Sequence, residues 1–274
     1  MTIKQTIRKY SNELKEVTHI PSKEVEILIM FLLDKNVIWL HLNYEKPFEK
    51  ENELKKLIKK RATHYPMEYI IGKASFYGEQ FFTDEKVLIP RPETELLVDK
   101  AKAILENISN PKVIEIGTGS GIISVMLALL IKDIKITAVD INENALQLAR
   151  KNAKKFNVED KITFIKSNLF DQVNIDFDMC VSNPPYIANN YQLPKNVEFE
   201  PKNALFGGNI GDELLNVILQ VSYENNIKYI CCEMGYDQKE PMIKLLKTFN
   251  ATNVEFYKDY SDFDRGFCAK LNKK

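Results

Sequence analysis

Five short apolar segments alternate with helical segments between residues 112 and 234, and this alternation restricts the possible folds strongly. Each apolar segment has the length of a buried strand, whereas the segments between them place apolar residues three and four positions apart. This rhythm predicts an α/β fold with a doubly wound, mostly parallel sheet. The predicted strands are KVIEI (112–116), IKITAVDI (134–141), KITFIKS (161–167), FDMCVSN (177–183) and IKYICCEM (227–234).

The C-terminal part of the sequence departs from this alternation. Two further strand-like segments, ATNVEFYKDY (251–260) and GFCAKLNKK (266–274), have only SDFDR between them. A link of five residues is too short for a crossover helix, so it predicts an antiparallel hairpin at the edge of the sheet. The complete sheet is therefore predicted to have seven strands.

The N-terminal part of the sequence predicts a separate, helical region. Residues 1–74 carry helical periodicity, with turns between the helical segments. Residues 75–90 alternate aromatic and polar residues around Gly78, as a β-hairpin does, and are interpreted as a linker. Three regions are thus predicted, namely a small helical domain (1–74), a hairpin linker (75–90) and the α/β domain (91–274).

The overall charge gives no indication of a polyanionic partner. The chain has 38 Lys and Arg residues and 38 Asp and Glu residues, so its formal net charge is zero. A nucleic-acid-binding protein would ordinarily show a basic excess or a basic stripe. No direct contact with nucleic acid is therefore expected.

The cysteines and the N-terminus indicate a cytoplasmic protein without a metal site. The four cysteines form no C-x-x-C pair and no metal-ligand spacing with the three histidines, and are interpreted as reduced, mostly buried thiols. The polar N-terminus lacks the apolar core of a signal peptide. The apolar run Ile27–Leu33 is far shorter than the roughly 20 residues that cross a bilayer.

Three glycines follow the first predicted strand, in VIEIGTGSGII (113–123). Glycines between a strand and a helix let the backbone pass close to a bound ligand. The dinucleotide-binding fingerprint would need a glycine where Ile122 stands. The observed acidic-x-G-x-G-x-G spacing is instead typical of S-adenosylmethionine-dependent methyltransferases, with a purely structural glycine turn as the alternative. The candidate cofactor-binding residues here are Glu115, Gly117, Thr118, Gly119, Ser120 and Gly121.

The next two strands supply further candidate cofactor ligands. Asp140 ends the second strand, where a carboxylate can accept hydrogen bonds from both ribose hydroxyls; helix capping is the alternative role. Asn168 and Leu169 follow the third strand. In methyltransferases with this glycine spacing, an acidic residue at this point commonly binds the amino group of adenine and its apolar neighbour packs on the ring. The similarity implies these roles for Asn168, whose amide oxygen can also accept from an amino group, and for Leu169.

The fourth strand ends in an unusual turn, VSNPPYIA (181–188). A residue before proline is held in an extended conformation, so Asn183 projects its amide from the strand end. Because Pro184 and Pro185 have no N–H, the turn presents carbonyl oxygens without backbone donors. Tyr186 adds an aromatic face. This set of groups predicts a site that grips a planar –NH2 group during methyl transfer, and the turn alone leaves open whether that group is a carboxamide or an adenine.

Motifs along nearly the whole chain carry a more specific resemblance. They include PMEYIIGKASFYG (66–78), LIPRPETELLV (88–98), EFEPKNALFGGNIG (198–211) and DRGFCAK (264–270), in addition to the glycine loop and the N-P-P-Y turn. In this order they resemble the release-factor glutamine methyltransferases of the HemK type. The resemblance implies a seven-stranded methyltransferase fold, S-adenosylmethionine as cofactor and peptide chain release factors as protein substrates. The acceptor would be the glutamine side-chain amide of their Gly-Gly-Gln loop.

The resemblance also implies roles for individual residues. Asn183, Pro184 and Tyr186 would be catalytic, Asn183 would also line the cofactor, and Pro185 and Arg91 would join them in binding substrate. Glu93 would lie near the same mouth or cap the following helix. The helical domain would recognise the substrate, and a monomer is expected. Glu115 and the pair Asn168–Leu169 stand where the family often has Asp and Asp–Trp, which affects cofactor affinity more than reaction type.

Two other functional classes compete with this interpretation. An adenine-N6 methyltransferase acting on DNA or RNA could use the same N-P-P-Y turn, but it would need a nucleic-acid-binding face. A catalytically silent binding module would have no need for the acceptor geometry of Asn183 or for the three glycines. The glutamine methyltransferase is the leading hypothesis.

Overall fold

The computed structural model describes residues 1–174 and 176–272. The chain forms two compact units. One comprises Met1–Lys73 together with Leu193–Phe199, and the other comprises the described residues of Ala74–Gln192 and Glu200–Lys274. The last two residues of the strand predicted at 266–274 lie outside the described residues.

The first unit is helical. Its N-terminal helix begins with a capping box, in which the Thr2 hydroxyl accepts from the Gln5 N–H and the Gln5 side chain accepts from the Thr2 N–H. Proline at the first helical position starts the next helix, where its missing N–H costs nothing. The helices are α1 (Ile3–Ser11), α2 (Pro21–Leu33), α3 (Val37–Leu42), α4 (Glu51–Arg61) and α5 (Met67–Ile71).

A buried ion pair and a ring contact help to hold the first unit together. Arg61 on α4 donates from Nε to Glu24 Oε2 at 2.7 Å and from Nη2 to Glu24 Oε1 at 2.9 Å, so it ties α4 to α2 through two parallel bonds. The ring of Phe199 packs edge-on against Tyr65, with the ring centroids 5.2 Å apart. The segment 193–199 therefore contributes a side chain to the packing of this unit.

The second unit opens within a β-hairpin of β1 (Lys73–Phe76) and β2 (Glu79–Phe82), in which Lys73 is the last residue of the first unit. Tyr77 and Gly78 between the strands have φ of 56° and 74°, which is the geometry of a two-residue type I′ turn. Phe76 and Phe81 are fully buried in the same hydrophobic core as the helix α6 (Thr94–Leu105). The predicted linker is thus part of the core of this unit.

A seven-stranded sheet forms the centre of the second unit, as predicted. Its strand order is β10-β11-β9-β6-β3-β4-β5, in which β10 and β11 pair antiparallel and the five strands from β9 to β5 run parallel. The strands are β3 (Lys112–Ile116), β4 (Lys135–Asp140), β5 (Ile162–Lys166), β6 (Met179–Ser182), β9 (Tyr229–Glu233), β10 (Thr252–Lys258) and β11 (Asp264–Lys270). A short parallel pair, β7 (Ile187–Ala188) and β8 (Phe206–Gly208), lies outside this sheet.

Helices cover both faces of the sheet. One face packs against α6, α7 (Ile122–Leu130) and α8 (Glu143–Lys155), and the other against α9 (Glu213–Glu224) and α10 (Lys239–Thr248). The strand order reverses at β3, which has β4 on one side and β6 on the other. In a doubly wound sheet, the crevice at this reversal, beyond the carboxyl ends of the strands, is where ligands bind. No described helix is long and apolar enough to cross a bilayer.

The prediction of four reduced cysteines is wrong for one pair. Cys231 on β9 and Cys268 on β11 lie directly opposite each other in the antiparallel register and are joined by a disulfide. Their spacing of 37 residues gives no hint of this pairing, because it follows from the order of the strands. Cys180 and Cys232 are free and buried, as predicted.

Candidate active site

A cavity of about 180 Å³ lies at the carboxyl ends of β3, β4, β5 and β6. It is formed where the strand order reverses, and it brings together residues from all four strand ends. A smaller recess of about 40 Å³ shares Gly117, Gly119 and Asn183 with it and extends towards Arg91. The predicted site residues that line the cavity are Gly117, Gly119, Asp140, Asn168, Leu169, Asn183, Pro184 and Pro185, and the recess adds Glu115, Thr118 and Ser120.

The glycine loop forms an open backbone cradle on one side of the cavity. Gly117 and Gly119 have φ of 70° and 54°, a left-handed conformation that side chains with a Cβ rarely adopt. A Cβ at Gly117 would meet no atom within 4 Å, so the backbone there faces open space. Gly121 has a different role, because a Cβ there would lie 2.8 Å from the Ala149 Cβ on α8. Gly121 allows close packing of two helices and lines neither the cavity nor the recess.

Glu115 is a buried carboxylate with one unused oxygen. Its Oε2 accepts from the Thr118 hydroxyl at 2.8 Å and from the hydroxyl and N–H of Ser124. Its Oε1 is buried and has no hydrogen-bond partner among the described residues. Burial raises the pKa of Glu115 to about 7, and the bonds from Ser124 and Thr118 oppose the shift. A buried acceptor without a donor is costly, and a ligand N–H in the recess would relieve that cost.

Asp140 ties the glycine loop to the start of α8. Its Oδ2 accepts from the Gly119 N–H at 2.9 Å and its Oδ1 from the Asn142 N–H at 2.8 Å. Each carboxylate oxygen keeps a second acceptor position, so both remain able to take a ligand hydroxyl. Burial raises the pKa of Asp140, and these backbone donors oppose the shift.

Asn168 and Leu169 lie at the cavity wall beyond β5. Leu169 has φ of 51°, a strained conformation for a leucine. The Ser167 hydroxyl donates to the Leu169 carbonyl at 3.1 Å and accepts from the Gln172 N–H, which holds the turn. The structure thus presents both residues at the wall where adenine is expected.

The Asn183 side chain begins a buried chain of hydrogen bonds. Asn183 Nδ2 donates to Thr94 Oγ1 at 3.1 Å, and the Thr94 hydroxyl donates to Glu233 Oε2 at 2.7 Å. Ser182 on β6 and Cys232 on β9 are partners in the parallel register, so Asn183 and Glu233 follow them at neighbouring positions. Thr94 and Glu233 are both almost completely buried. Burial raises the pKa of Glu233, while Thr94, Tyr186 and Arg265 oppose the shift.

Tyr186 is directed towards this chain of hydrogen bonds. Its hydroxyl donates to Glu233 Oε1 at 3.1 Å and accepts from Arg265 Nη1 at 3.5 Å. Arg265 also binds Asp259 at 2.7 Å, and Gln238 Nε2 donates to the Tyr186 carbonyl at 2.9 Å. Burial raises the pKa of Tyr186, so it stays a neutral donor. Tyr186 does not line the cavity as Asn183, Pro184 and Pro185 do.

The backbone of Pro185 and Tyr186 packs against the glycine-rich segment that follows. A Cβ at Gly207 would lie 2.3 Å from the Pro185 carbonyl oxygen, and one at Gly211 would lie 2.5 Å from the Tyr186 carbonyl oxygen. The backbones therefore touch, and only glycine fits at these two positions. No residue that the structure describes donates a hydrogen bond to the Pro184 carbonyl. That oxygen is available to a ligand donor.

Arg91 lies at the recess, paired with an acidic residue. It forms an ion pair with Glu200, whose side chain is only 2% exposed and also accepts from the Ile89 N–H at 3.0 Å. Glu200 thereby holds the I-P-R-P-E-T-E segment next to the E-P-K-N-A-L segment. Glu93 occupies the position before α6, and its side chain makes no capping hydrogen bond.

Comparison with known proteins identifies the family. Residues 5–72 match the PrmC N-terminal domain family and residues 92–198 match the Methyltransferase small domain family. The chain is 34% identical over 271 residues to the release factor glutamine methyltransferase of Buchnera aphidicola subsp. Baizongia pistaciae, covering 97% of this chain and 98% of that protein. The same named protein of Dictyoglomus turgidum is 36% identical over 266 residues, covering 93% of each. The chain belongs to the release factor glutamine methyltransferase family.

Solved structures share the fold of these methyltransferases. The catalytic domain of hMettl16, in complex with MAT2A 3′UTR hairpin 6, superimposes with a TM-score of 0.59 at 17% identity, covering 71% of this chain and 76% of that chain. The N-terminal domain of human METTL16 in complex with SAH gives a TM-score of 0.52 at 18% identity, covering 80% and 84%. At such identity the likeness concerns the fold alone.

Members of this family are S-adenosylmethionine-dependent methyltransferases, and the residues at the cavity fit that cofactor. The open backbone at Gly117 and Gly119, the spare acceptor positions of Asp140 and the unpaired Glu115 Oε1 match a ligand with hydroxyl and ammonium donors. Among the described residues, no group of His, Cys, Asp and Glu is arranged to hold a metal ion.

Two buried residues of the site were missed by the sequence analysis, namely Thr94 and Glu233. Thr94 lies within the motif LIPRPETELLV (88–98), for which only Arg91 and Glu93 were predicted to have roles. Glu233 lies near the end of the predicted strand IKYICCEM (227–234). A signal existed for Glu233, because an acidic residue at the carboxyl end of a buried strand is unusual. Its neighbour across the sheet could not be inferred, because the pairing of β9 with β6 depends on the strand order.

Proposed function

We propose that this protein transfers a methyl group from S-adenosylmethionine to the side-chain amide nitrogen of a glutamine in peptide chain release factors. The observation that carries this proposal is the pair of donor-free acceptors, Asn183 Oδ1 and the Pro184 carbonyl, at the rim of the cofactor cavity. Family membership narrows the planar amine to a glutamine amide.

Orientation is the main contribution that this site offers. A carboxamide nitrogen is a poor nucleophile because its lone pair is delocalised, and deprotonating it at neutral pH is difficult. Orientation supplies roughly 7–11 kcal/mol, whereas a general base supplies about 10²–10⁴-fold, or roughly 3–5 kcal/mol. A site without a basic side chain at the amide is therefore sufficient.

Each residue of the turn has a distinct part in this orientation. When bound, S-adenosylmethionine supplies an electrophilic methyl group. Asn183 Oδ1 and the Pro184 carbonyl accept the two N–H groups of the glutamine amide and stabilise the positive charge that develops on its nitrogen. The nitrogen gains the methyl group, whose bond to the cofactor sulfur breaks, and it then releases one of its two protons to water. Pro185 keeps the turn rigid, and Arg91 flanks the bound side chain from the recess. Tyr186, which does not line the cavity itself, packs against the part of that side chain that lies outside it.

The cofactor roles follow the cavity wall. Glu115, with Thr118 and Ser120 beside it, lies where the amino-acid end of the cofactor would bind, and Asp140 lies where the ribose would bind. Asn168 and Leu169 would hold the adenine. Gly117 and Gly119 let the backbone approach the cofactor, and Gly121 supports this loop through helix packing.

The acceptor is the glutamine of the Gly-Gly-Gln loop, and the N-terminal helical domain of residues 1–74 recognises the factor. We also propose that the protein acts in the cytoplasm, as a monomer, without direct contact with nucleic acid. The balanced charge supports the last point.

The test is a transfer assay with methyl-labelled S-adenosylmethionine and two alternative acceptors, a purified release factor or duplex DNA. Label is expected on the factor alone, and a factor whose Gly-Gly-Gln glutamine is replaced by alanine should remain unlabelled. Label on DNA with none on the factor would show instead an adenine methyltransferase. Cofactor binding without any transfer would indicate a binding module.

A further inference from the structure

We propose that Thr94 is a positioning residue that fixes which end of the Asn183 side-chain amide faces the cavity. This inference rests on the proposed function, because it concerns the acceptor that holds the glutamine amide. Thr94 is the first residue of α6, it is fully buried, and its hydroxyl lies between the Asn183 amide and the Glu233 carboxylate.

The argument begins with the single proton of the Thr94 hydroxyl. Arg265 and the two hydroxyl donors favour the carboxylate form of Glu233 against the effect of burial, and in that form Oε2 can only accept, so the Thr94 proton is donated to it at 2.7 Å. The hydroxyl oxygen can then act only as an acceptor towards Asn183. An amide has a donor end and an acceptor end of nearly equal shape, so this requirement places Nδ2 at Thr94, 3.1 Å away.

Glu233 is itself held by a proton donor on its other oxygen. The Tyr186 hydroxyl accepts from Arg265 Nη1 at 3.5 Å and donates to Glu233 Oε1 at 3.1 Å. Both carboxylate oxygens therefore receive a hydroxyl proton, and neither Thr94 nor Tyr186 has a second proton to give. The donor and the acceptor of each hydrogen bond are therefore fixed along the whole chain, which runs from Arg265 through Tyr186, Glu233 and Thr94 to Asn183.

The consequence reaches the cavity through Asn183 Oδ1. With Nδ2 turned to Thr94, Oδ1 points to the other side and receives no hydrogen bond from the described residues. A planar –NH2 group in the cavity thus meets an oxygen. A flipped Asn183 would instead present its own –NH2 group, and two donors would face each other. The Thr94 hydroxyl acts through Asn183 rather than on the reacting atoms, and it selects the competent orientation of the Asn183 amide.

The test compares Thr94→Val, which replaces the hydroxyl with a methyl of similar size, with Thr94→Ser, which keeps the hydroxyl. In methylation of a release factor, T94V should lower kcat by about 10- to 100-fold. T94S should stay within about threefold of the wild type, since it retains the donor and acceptor. The dissociation constant for S-adenosylmethionine, measured by calorimetry, should be unchanged in both. Thr248→Val makes the same chemical change at an exposed hydroxyl of α10, whose one hydrogen bond among the described residues goes to the Leu245 carbonyl, and it should leave kcat unchanged.

A second variant covers the case in which T94V unfolds. Glu233→Gln introduces an amide that can donate to Thr94, which frees the Thr94 proton to turn towards Asn183, so kcat should fall while cofactor binding persists. Wild-type kcat in folded T94V or in E233Q would overturn the proposal. So would an equal loss in T94S and T94V, which would indicate packing rather than the hydroxyl. A wild-type enzyme that does not label the release factor would instead refute the proposed function.

Discussion

At the residue scale, the conformation of Asn183 is restricted twice, in its backbone by the following proline and in its side chain by a buried hydroxyl. Proline at position 184 holds the backbone extended, and Thr94 holds the side-chain amide. Both restrictions orient Asn183 itself, and neither places a charged side chain at the nitrogen that would receive the methyl group. The site is therefore organised by geometry and by the direction of hydrogen bonds.

Replacing Asn183 by alanine is expected to abolish measurable methyl transfer, with a loss of about 100-fold or more, because one of two acceptors is removed. Binding of S-adenosylmethionine should persist, since the glycine loop and Asp140 are intact. Single-turnover transfer to a release factor and calorimetric titration of the cofactor measure the two quantities. Asn189→Ala, an exposed asparagine bonded to Asn209 just after β7, is the matched control. Retained turnover in N183A would contradict the amide-clamp mechanism.

Glu115 leads to a prediction about pH and stability. Its folded-state pKa is raised from 4.5 to about 7, so the folded protein binds this proton more tightly than the unfolded chain does. The protonated form therefore contributes stability that is fully present below pH 4.5 and is lost as the pH rises through 7.

The Glu115→Gln variant should not lose this stability as the pH rises, because glutamine stays neutral. In urea unfolding without cofactor, the wild type should lose about 3 kcal/mol relative to E115Q between pH 4.5 and pH 7 or so. The difference should then be constant above that range. If the wild type instead gained stability relative to E115Q as the pH rose, the result would show that Glu115 is stabilised as a carboxylate.

At the element scale, the contact between α7 and α8 depends on the absence of a side chain at Gly121. This glycine ends the glycine loop and directly precedes α7, and a Cβ would collide with Ala149 on α8 at 2.8 Å. One position therefore serves both the backbone geometry of the loop and the distance between two helices.

Gly121→Ala is expected to lower the free energy of unfolding by roughly 2–4 kcal/mol, from backbone strain and from overpacking. Gly78→Ala is the matched control, because Gly78 also has a positive φ but a Cβ there meets nothing within 4 Å. G78A should lose only about 1 kcal/mol, in chemical denaturation of both variants. Equal losses would show that the collision with Ala149 is relieved at no cost.

Most helices and strands of the second unit can be predicted from the periodicity of the sequence. Which strands lie next to each other in the sheet cannot. The strand predicted at 112–116 is observed at Lys112–Ile116, because its buried run is bounded by a proline and a glycine. The bond between Thr94 and Glu233 joins residues that are 139 positions apart. Such contacts depend on which strands become adjacent, and apolar runs that are buried on both faces carry no signal of their neighbour. The disulfide between Cys231 and Cys268 escaped prediction for the same reason.

At the scale of the whole molecule, the proposed monomer and the proposed lack of nucleic-acid binding can be tested together. With 38 basic and 38 acidic residues, the net charge supplies no overall attraction for a polyanion. Light scattering after size exclusion should give a mass near 31.7 kDa, that of a single chain. Adding duplex DNA should leave the elution unchanged. A mass of twice this value would refute the predicted monomer.

The division into units has a consequence for the connectivity of the chain. The backbone passes between the units three times, at residues 73–74, 192–193 and 199–200. Because the partly exposed ring of Phe199 packs on Tyr65, a polypeptide that stops at residue 73 lacks one side-chain contact of its own unit. Cleavage after residue 73 would leave that piece attached to the other unit. The helical unit is therefore built from two separate stretches of the chain. The segment between them, residues 74–192, belongs to the other unit and carries the N-P-P-Y turn.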